Sequence, residues 1–258
     1  MVRLPPRLQP GEDATVVEHL EELRWRIIVV LGALALTTIV AFAFHGHILD
    51  WLNHPLPADR RRVVTLGVAE PFTVSVTVSV YAGFLLALPV ILWQFWSFFA
   101  PALDPSIERS VLGLVAFASG LGAAGLAFGY WIVLPRALRW LTSYDDTHFT
   151  NLIQAKPYYA FTSTVLLGIV LVFELPVMLL GLVSIGVLSS GTLRRNRPLG
   201  YFIVAVVALG LPGPDPVTTA LELLPMWALF EGSIWLAFFV ERARPDLLVG
   251  DRLGTAAD

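Results

Sequence analysis

Apolar residues in this chain come in long unbroken runs separated by short polar segments. A hydrocarbon core about 30 Å thick needs about 20 helical residues to cross it. The runs that reach or approach this length are Ile27–Phe44, Phe72–Phe98 with Pro89 inside it, Val111–Leu134, Tyr158–Val183, Leu199–Leu211 and Val217–Val240. The third is expected to continue as a helix past the bilayer, because Pro135–Leu141 keeps a helical apolar spacing. The fifth has 13 residues, which reach only about 20 Å at about 1.5 Å each. It predicts either a locally thinned bilayer around a short span or a re-entrant hairpin. With six true spans the chain is an all-α polytopic membrane protein. Residues 1–26 form an N-terminal segment, 27–240 the membrane domain, and 241–258 a polar tail expected to be disordered.

Composition agrees. The chain has 258 residues, of which 56% are hydrophobic and 14% charged, against about 25% charged in soluble domains. The alternating segments of about ten residues that a barrel requires are missing. A net charge of −3 gives no footprint for a nucleic-acid partner. With no cysteine, disulfides and thiolate chemistry are excluded. The polar, acidic first 26 residues and the long apolar run after them do not read as a cleavable signal peptide. For six spans, the side holding both termini carries eleven Arg and Lys residues and the other side six, which predicts both termini in the cytoplasm. Glu70–Val90 and Lys156–Val177 both begin charge-Pro-aromatic and end Leu-Pro-Val, a faint internal echo.

The polar segment before the first span reads as an amphipathic helix. Thr15-Val-Val-Glu18 has the form of a capping box, and Val16, Leu20, Leu23 and Ile27 form one apolar stripe. Glu18, Glu21 and Glu22 lie on its other faces. Local pairing of Glu22 with Arg26 and of Glu21 with Arg24 is one explanation for them. Glu108 opens the third span, where the helix dipole alone favours an acid. Inside the spans, Glu174 and Glu231 are costly in hydrocarbon, about 2.5–3.5 kcal/mol for a central acid on insertion scales. Gln94 is a candidate partner for Glu174. Asp215, after Pro212-Gly213-Pro214, reads first as a helix cap. Gly125 and Gly129 make a GxxxG, a helix-packing pattern. Soluble-enzyme motifs are absent, and the five histidines all lie at span ends or in loops. His45, His47 and His54 as a metal site is the weaker reading beside loop histidines.

Several stretches, in order, resemble the TatC family, the multispan component of the twin-arginine protein translocase. They are HLEELRWR (19–26), EPF (70–72), LPVILWQFWSFFAPAL (88–103), FELPV (173–177), RRNRP (194–198) and PMWALFE (225–231). The resemblance implies a concave, glove-like bundle of six helices with short fifth and sixth helices, and a receptor rather than an enzyme. It implies no cofactor and a multi-pass location in the cell inner (cytoplasmic) membrane. By this resemblance the chain binds the Arg-Arg signal peptide of folded precursors. It recruits the single-span subunits TatA and TatB and works in a homo-oligomeric assembly driven by the proton gradient. Glu22, Arg24, Phe98 and Glu108 would then belong to the signal-peptide site. Glu174 and Gln94 would contact partner helices within the membrane, and Pro55 and Asp215 would serve the outer side. The chain departs from the family pattern in one extra residue before Glu108, in Pro212-Gly213-Pro214 before Asp215, and in Thr219. A rival reading stays open from the residues alone: a proton-coupled small-solute transporter using Glu174 and Glu231.

Overall fold

The computed structural model describes residues 16–99, 111–144, 148, 152–184, 187–210 and 216–243. Helix α1 is Val16–Ala43, α2 His45–Asn53 and α3 Glu70–Phe99. After them come α4, Val111–Phe128, a π-helical turn Gly129–Val133, and α5, Leu134–Ser143. The fourth span is α6, Ala155–Phe173, followed by α7, Leu175–Ser184. A short α8, Ser190–Arg195, leads to α9, Arg197–Gly210, and α10, Pro216–Ala243. Five helical segments are long and apolar enough to cross a membrane, and α9 is a shorter apolar helix. The near end of the bundle holds the start of α1 and the end of α3. The far end holds α2 and the start of α6.

The amphipathic N-terminal segment and the first span form one helix of 28 residues. No proline or glycine separates Glu22 from the apolar run, so nothing stops the hydrogen-bond ladder. At about 42 Å it exceeds the hydrocarbon thickness, and its first turns project beyond it. α1 packs chiefly on α3 through small groups. Thr37 Oγ1 donates to Gly83 O at 2.8 Å, and a Cβ on Gly83 would collide with Thr38. Close backbone approach of this kind is how helices associate in lipid.

Two prolines shape the third and fourth spans, by different devices. Pro135 cannot donate to the carbonyl four residues back. The helix widens ahead of it, and the Leu134 N–H reaches Gly129 O, a single-turn π-bulge. The predicted continuation through Pro135–Leu141 is present as α5. In the fourth span Pro176 breaks the ladder. Glu174 N bonds Leu171 O at 3.2 Å, and the helix restarts at Leu175. The single run Tyr158–Val183 is therefore two helices meeting at Glu174. Pro89 leaves α3 unbroken, so the two Leu-Pro-Val stretches of the internal echo differ in effect.

The fifth span is a true short helix of 14 residues, about 21 Å long, not a hairpin. The sixth is not short: α10 has 28 residues because Pro225 fails to end it and it continues through Glu241 beyond the apolar run. Residues 244–258, the rest of the expected tail, lie outside the described residues.

At the far end, three tyrosines from two spans hold the C-terminus of α2. Tyr130 donates to Trp51 O at 2.9 Å, Tyr158 to Leu52 O at 2.5 Å, and Tyr159 to Asn53 Oδ1 at 3.1 Å. The last carbonyls of a helix have no partner within it, and two of these phenols supply one. The Trp51 and Tyr130 rings stack at 3.8 Å.

Candidate functional site

Two pairs of residues distant in sequence, Glu22 with Arg26 and Gln94 with Ser97, meet at the near end. Arg26 donates from Nε (2.9 Å) and Nη2 (2.5 Å) to Glu22 Oε1. It also donates to Gln94 Oε1 at 3.2 Å and to Ser97 O at 3.0 Å. The expected i,i+4 pair is thus present, but its arginine is also the tie between α1 and the end of α3. The pair is about one-fifth exposed. Among the described residues Glu22 Oε2 is buried and accepts no hydrogen bond; His19 Nδ1 stands 3.9 Å from it, beyond hydrogen-bond range. His19 in turn stacks on Phe98, centroids 4.4 Å apart. Glu22 and Phe98 therefore share one surface. Arg24 is exposed on another face of the helix. Glu108 and Asp215 lie outside the described residues.

Gln94 does not reach Glu174: its amide oxygen is held by Arg26, close to the membrane surface. Glu174 sits at the break between α6 and α7. It is 6% exposed, and neither carboxylate oxygen has a hydrogen-bond partner. It lies against α4 and α3. A Cβ on Gly122 would stand 2.9 Å from Glu174 Oε1 and 2.9 Å from Leu88 Cδ2. Gly125 and Gly129, the expected packing pattern, face Phe173 and Ile169 of the same span. The missing Cβ atoms on α4 thus create the space the acid occupies.

Three other acids are bonded within the bundle. Glu231 pairs with Arg197 at 3.1 Å and accepts from the Tyr201 hydroxyl. Glu241 accepts from Ser190 N at 2.7 Å and from Ser190 Oγ. Arg194 of the same short helix lies 4.2 Å from the Phe238 ring centre, a cation–π contact. Glu70 gathers four donors: Leu66 N (2.8 Å), Gly67 N (3.1 Å), Lys156 N (3.0 Å) and Gln154 Nε2 (3.2 Å). It thereby fills an orphan donor at the start of α6. Sequence reasoning placed Glu70 in a motif and missed this role. The one available signal was an acid in the first turn of a helix facing another helix start.

Pro55 lies beyond α2 on the rim of a cleft at the far end. His45 and His47 lie in the first turn of α2 and pack their rings on Phe42 and Phe44.

The short α9 is what the resemblance implied, and the long α10 departs from it. Comparison with known proteins decides the matter. The sequence profile of "Sec-independent protein translocase protein (TatC)" matches residues 18–225. The chain belongs to the TatC family. It is 33% identical over 239 residues to the Carboxydothermus hydrogenoformans protein of that name, covering 92% of this chain and 97% of the relative. It is 34% identical over 233 residues to TatCd of Bacillus subtilis, covering 90% and 95%. A crystal structure of the twin-arginine translocase receptor TatC in DDM superposes with a TM-score of 0.76 at 31% identity, covering 85% of this chain and 99% of that one. The chain is a component of the twin-arginine protein translocase, a multi-pass protein of the inner membrane.

Proposed function

We propose that this chain is the receptor subunit that reads the paired arginines of a twin-arginine signal peptide at the near end of the bundle. That end then faces the cytoplasm, and Glu22 and Glu108 are the two readers, with Phe98 on the Glu22 surface and Arg24 meeting the peptide from another face of α1. One observation carries the reading. Glu22 has one oxygen engaged by Arg26 and a second, Oε2, that accepts no hydrogen bond among the described residues, 3.9 Å from His19, whose ring stacks on Phe98. A guanidinium can fork onto a carboxylate, whereas an ammonium is a point charge. Such a pair of acids selects Arg-Arg over Lys-Lys.

Glu174 is the docking point for the single-span partners TatA and TatB. A buried acid without a partner in this chain can accept one from another helix, and intramembrane acids are functional by default. The chain acts in a homo-oligomeric assembly, and the proton gradient drives transport. The transporter reading loses ground, since Glu231, the second acid it needs, is bound to Arg197 and Tyr201.

The test is binding of an Arg-Arg signal peptide and its Lys-Lys variant to the purified protein in detergent. A charged hydrogen bond contributes about 1.5–3 kcal/mol, and about 1.4 kcal/mol is tenfold in affinity. Arg-Arg should bind at least about tenfold tighter, and Glu22→Gln or Glu108→Gln should abolish the preference. Equal binding of both peptides to the unaltered protein would remove the proposal.

A further inference from the structure

Beyond the receptor reading, the far end holds a second site. A cleft of about 400 Å³ opens between the loop after α2 and the third span. Its wall is formed by His54, Pro55, Tyr130, Trp131, Pro135 and Arg139. We propose that it binds the headgroup phosphate of an anionic phospholipid in the leaflet at that end.

Depth comes first. Trp131 lies twenty residues after Val111 on one nearly continuous helix, about 30 Å along its axis. That is one hydrocarbon thickness, so Trp131 marks the far boundary of the apolar layer. It is 69% exposed, and indoles concentrate at such boundaries. Arg139 lies two turns further on, at headgroup depth.

Charge and geometry follow. Among the described residues the wall contains a guanidinium and an imidazole and no carboxylate. Arg139 spends only its Nε, on Pro135 O at 2.9 Å, and its terminal nitrogens remain free to fork onto a phosphate. Arg139 lines the cleft together with Pro135, one turn before it on α5. The opposite rim is held in shape by Arg61, which donates to Leu56 O and His54 O, both at 3.3 Å. The Trp51–Tyr130 stack stiffens the floor. A soluble phosphate would leave the exposed Trp131 without a function, whereas a lipid covers it with its glycerol and upper acyl chain.

The experiment measures lipid retention by the full chain in neutral detergent, using native mass spectrometry with equal phosphatidylglycerol and phosphatidylcholine of matched chains. A basic residue near an anionic surface supports about a fivefold preference, and phosphatidylglycerol should be retained by at least that factor. Arg139→Gln should bring the two lipids to parity at an unchanged Tm, and Arg139→Lys should keep part of the preference. Arg242→Gln, at the near end, should change nothing. Should Arg139→Gln not fold, the unaltered chain decides the matter through its own preference. Equal retention of both lipids by the unaltered chain, or a preference that survives Arg139→Gln, overturns the proposal. Displacement of phosphatidylglycerol by millimolar inorganic phosphate would overturn it too, by assigning the cleft to the free ion.

Discussion

Glu70 and Glu174 are equally buried, 8% and 6% exposed, and their surroundings are opposite. Glu70 sits at the far end with four hydrogen-bond donors aimed at it. Glu174 sits within the bundle at a helix break and has none. A buried acid that is fully bonded holds structure together, and one left unbonded costs stability unless something else uses it. The first is thus a joint between two spans, and the second, on the function proposed above, is a site kept open for another molecule.

The comparison breaks most visibly at Glu70. Glu70→Ala leaves Leu66, Gly67, Lys156 and Gln154 donors without their acceptor and frees the start of α6. It should lower Tm in detergent micelles by several degrees, more than any change at Glu174. If Tm is unmoved, Glu70 is no joint.

Glu174→Leu is the opposite experiment. Replacing an unpaired acid by an apolar residue removes an insertion cost of about 2.5–3.5 kcal/mol, so Tm should hold or rise. Signal-peptide affinity should stay within about twofold, the range of a change remote from the site. Cross-linking to the partner spans should be lost. A fall in Tm would mean that the acid has a structural partner after all.

Gln154→Leu sharpens the account of Glu70. It removes one donor of four and should give a fall in Tm smaller than that of Glu70→Ala, read in the same melt. Gly122→Ala does the same for Glu174. Its Cβ comes within 3 Å only of the movable ends of Glu174 and Leu88, and meets Val170 at ordinary contact distance, so the fold should tolerate it with the smallest change in Tm. The carboxylate is displaced, and partner cross-linking should weaken while peptide binding does not. Intact cross-linking would show that the position of the acid is uncritical.

The expectations that succeeded share a physical basis. Apolar length predicted the spans, because hydrocarbon thickness is a fixed ruler. The same ruler marked the fifth span as short, and α9 is short. The Glu22–Arg26 pair followed from 3.6-residue periodicity alone. The sixth helix ran longer than its apolar stretch, since Glu241 finds Ser190 and is satisfied inside the fold. The fourth span broke at Glu174, although Pro89 in a like context broke nothing. Gln94 turned to Arg26 instead of Glu174 because Arg26 carries donors enough to serve α1 and α3 at once.

From its order of residues the chain determined that it crosses a membrane, where each span begins, and which acids are expensive. Those follow from local rules: helix rise, apolar length and the charge of a side chain. Only the tertiary structure decided which acid is satisfied. Glu70 meets Lys156 N across 86 positions, and Gly122 opens its space to Glu174 from another span. A hydrogen bond acts over about 3 Å, so partners so far apart along the chain become visible only when packing has set one span against the next.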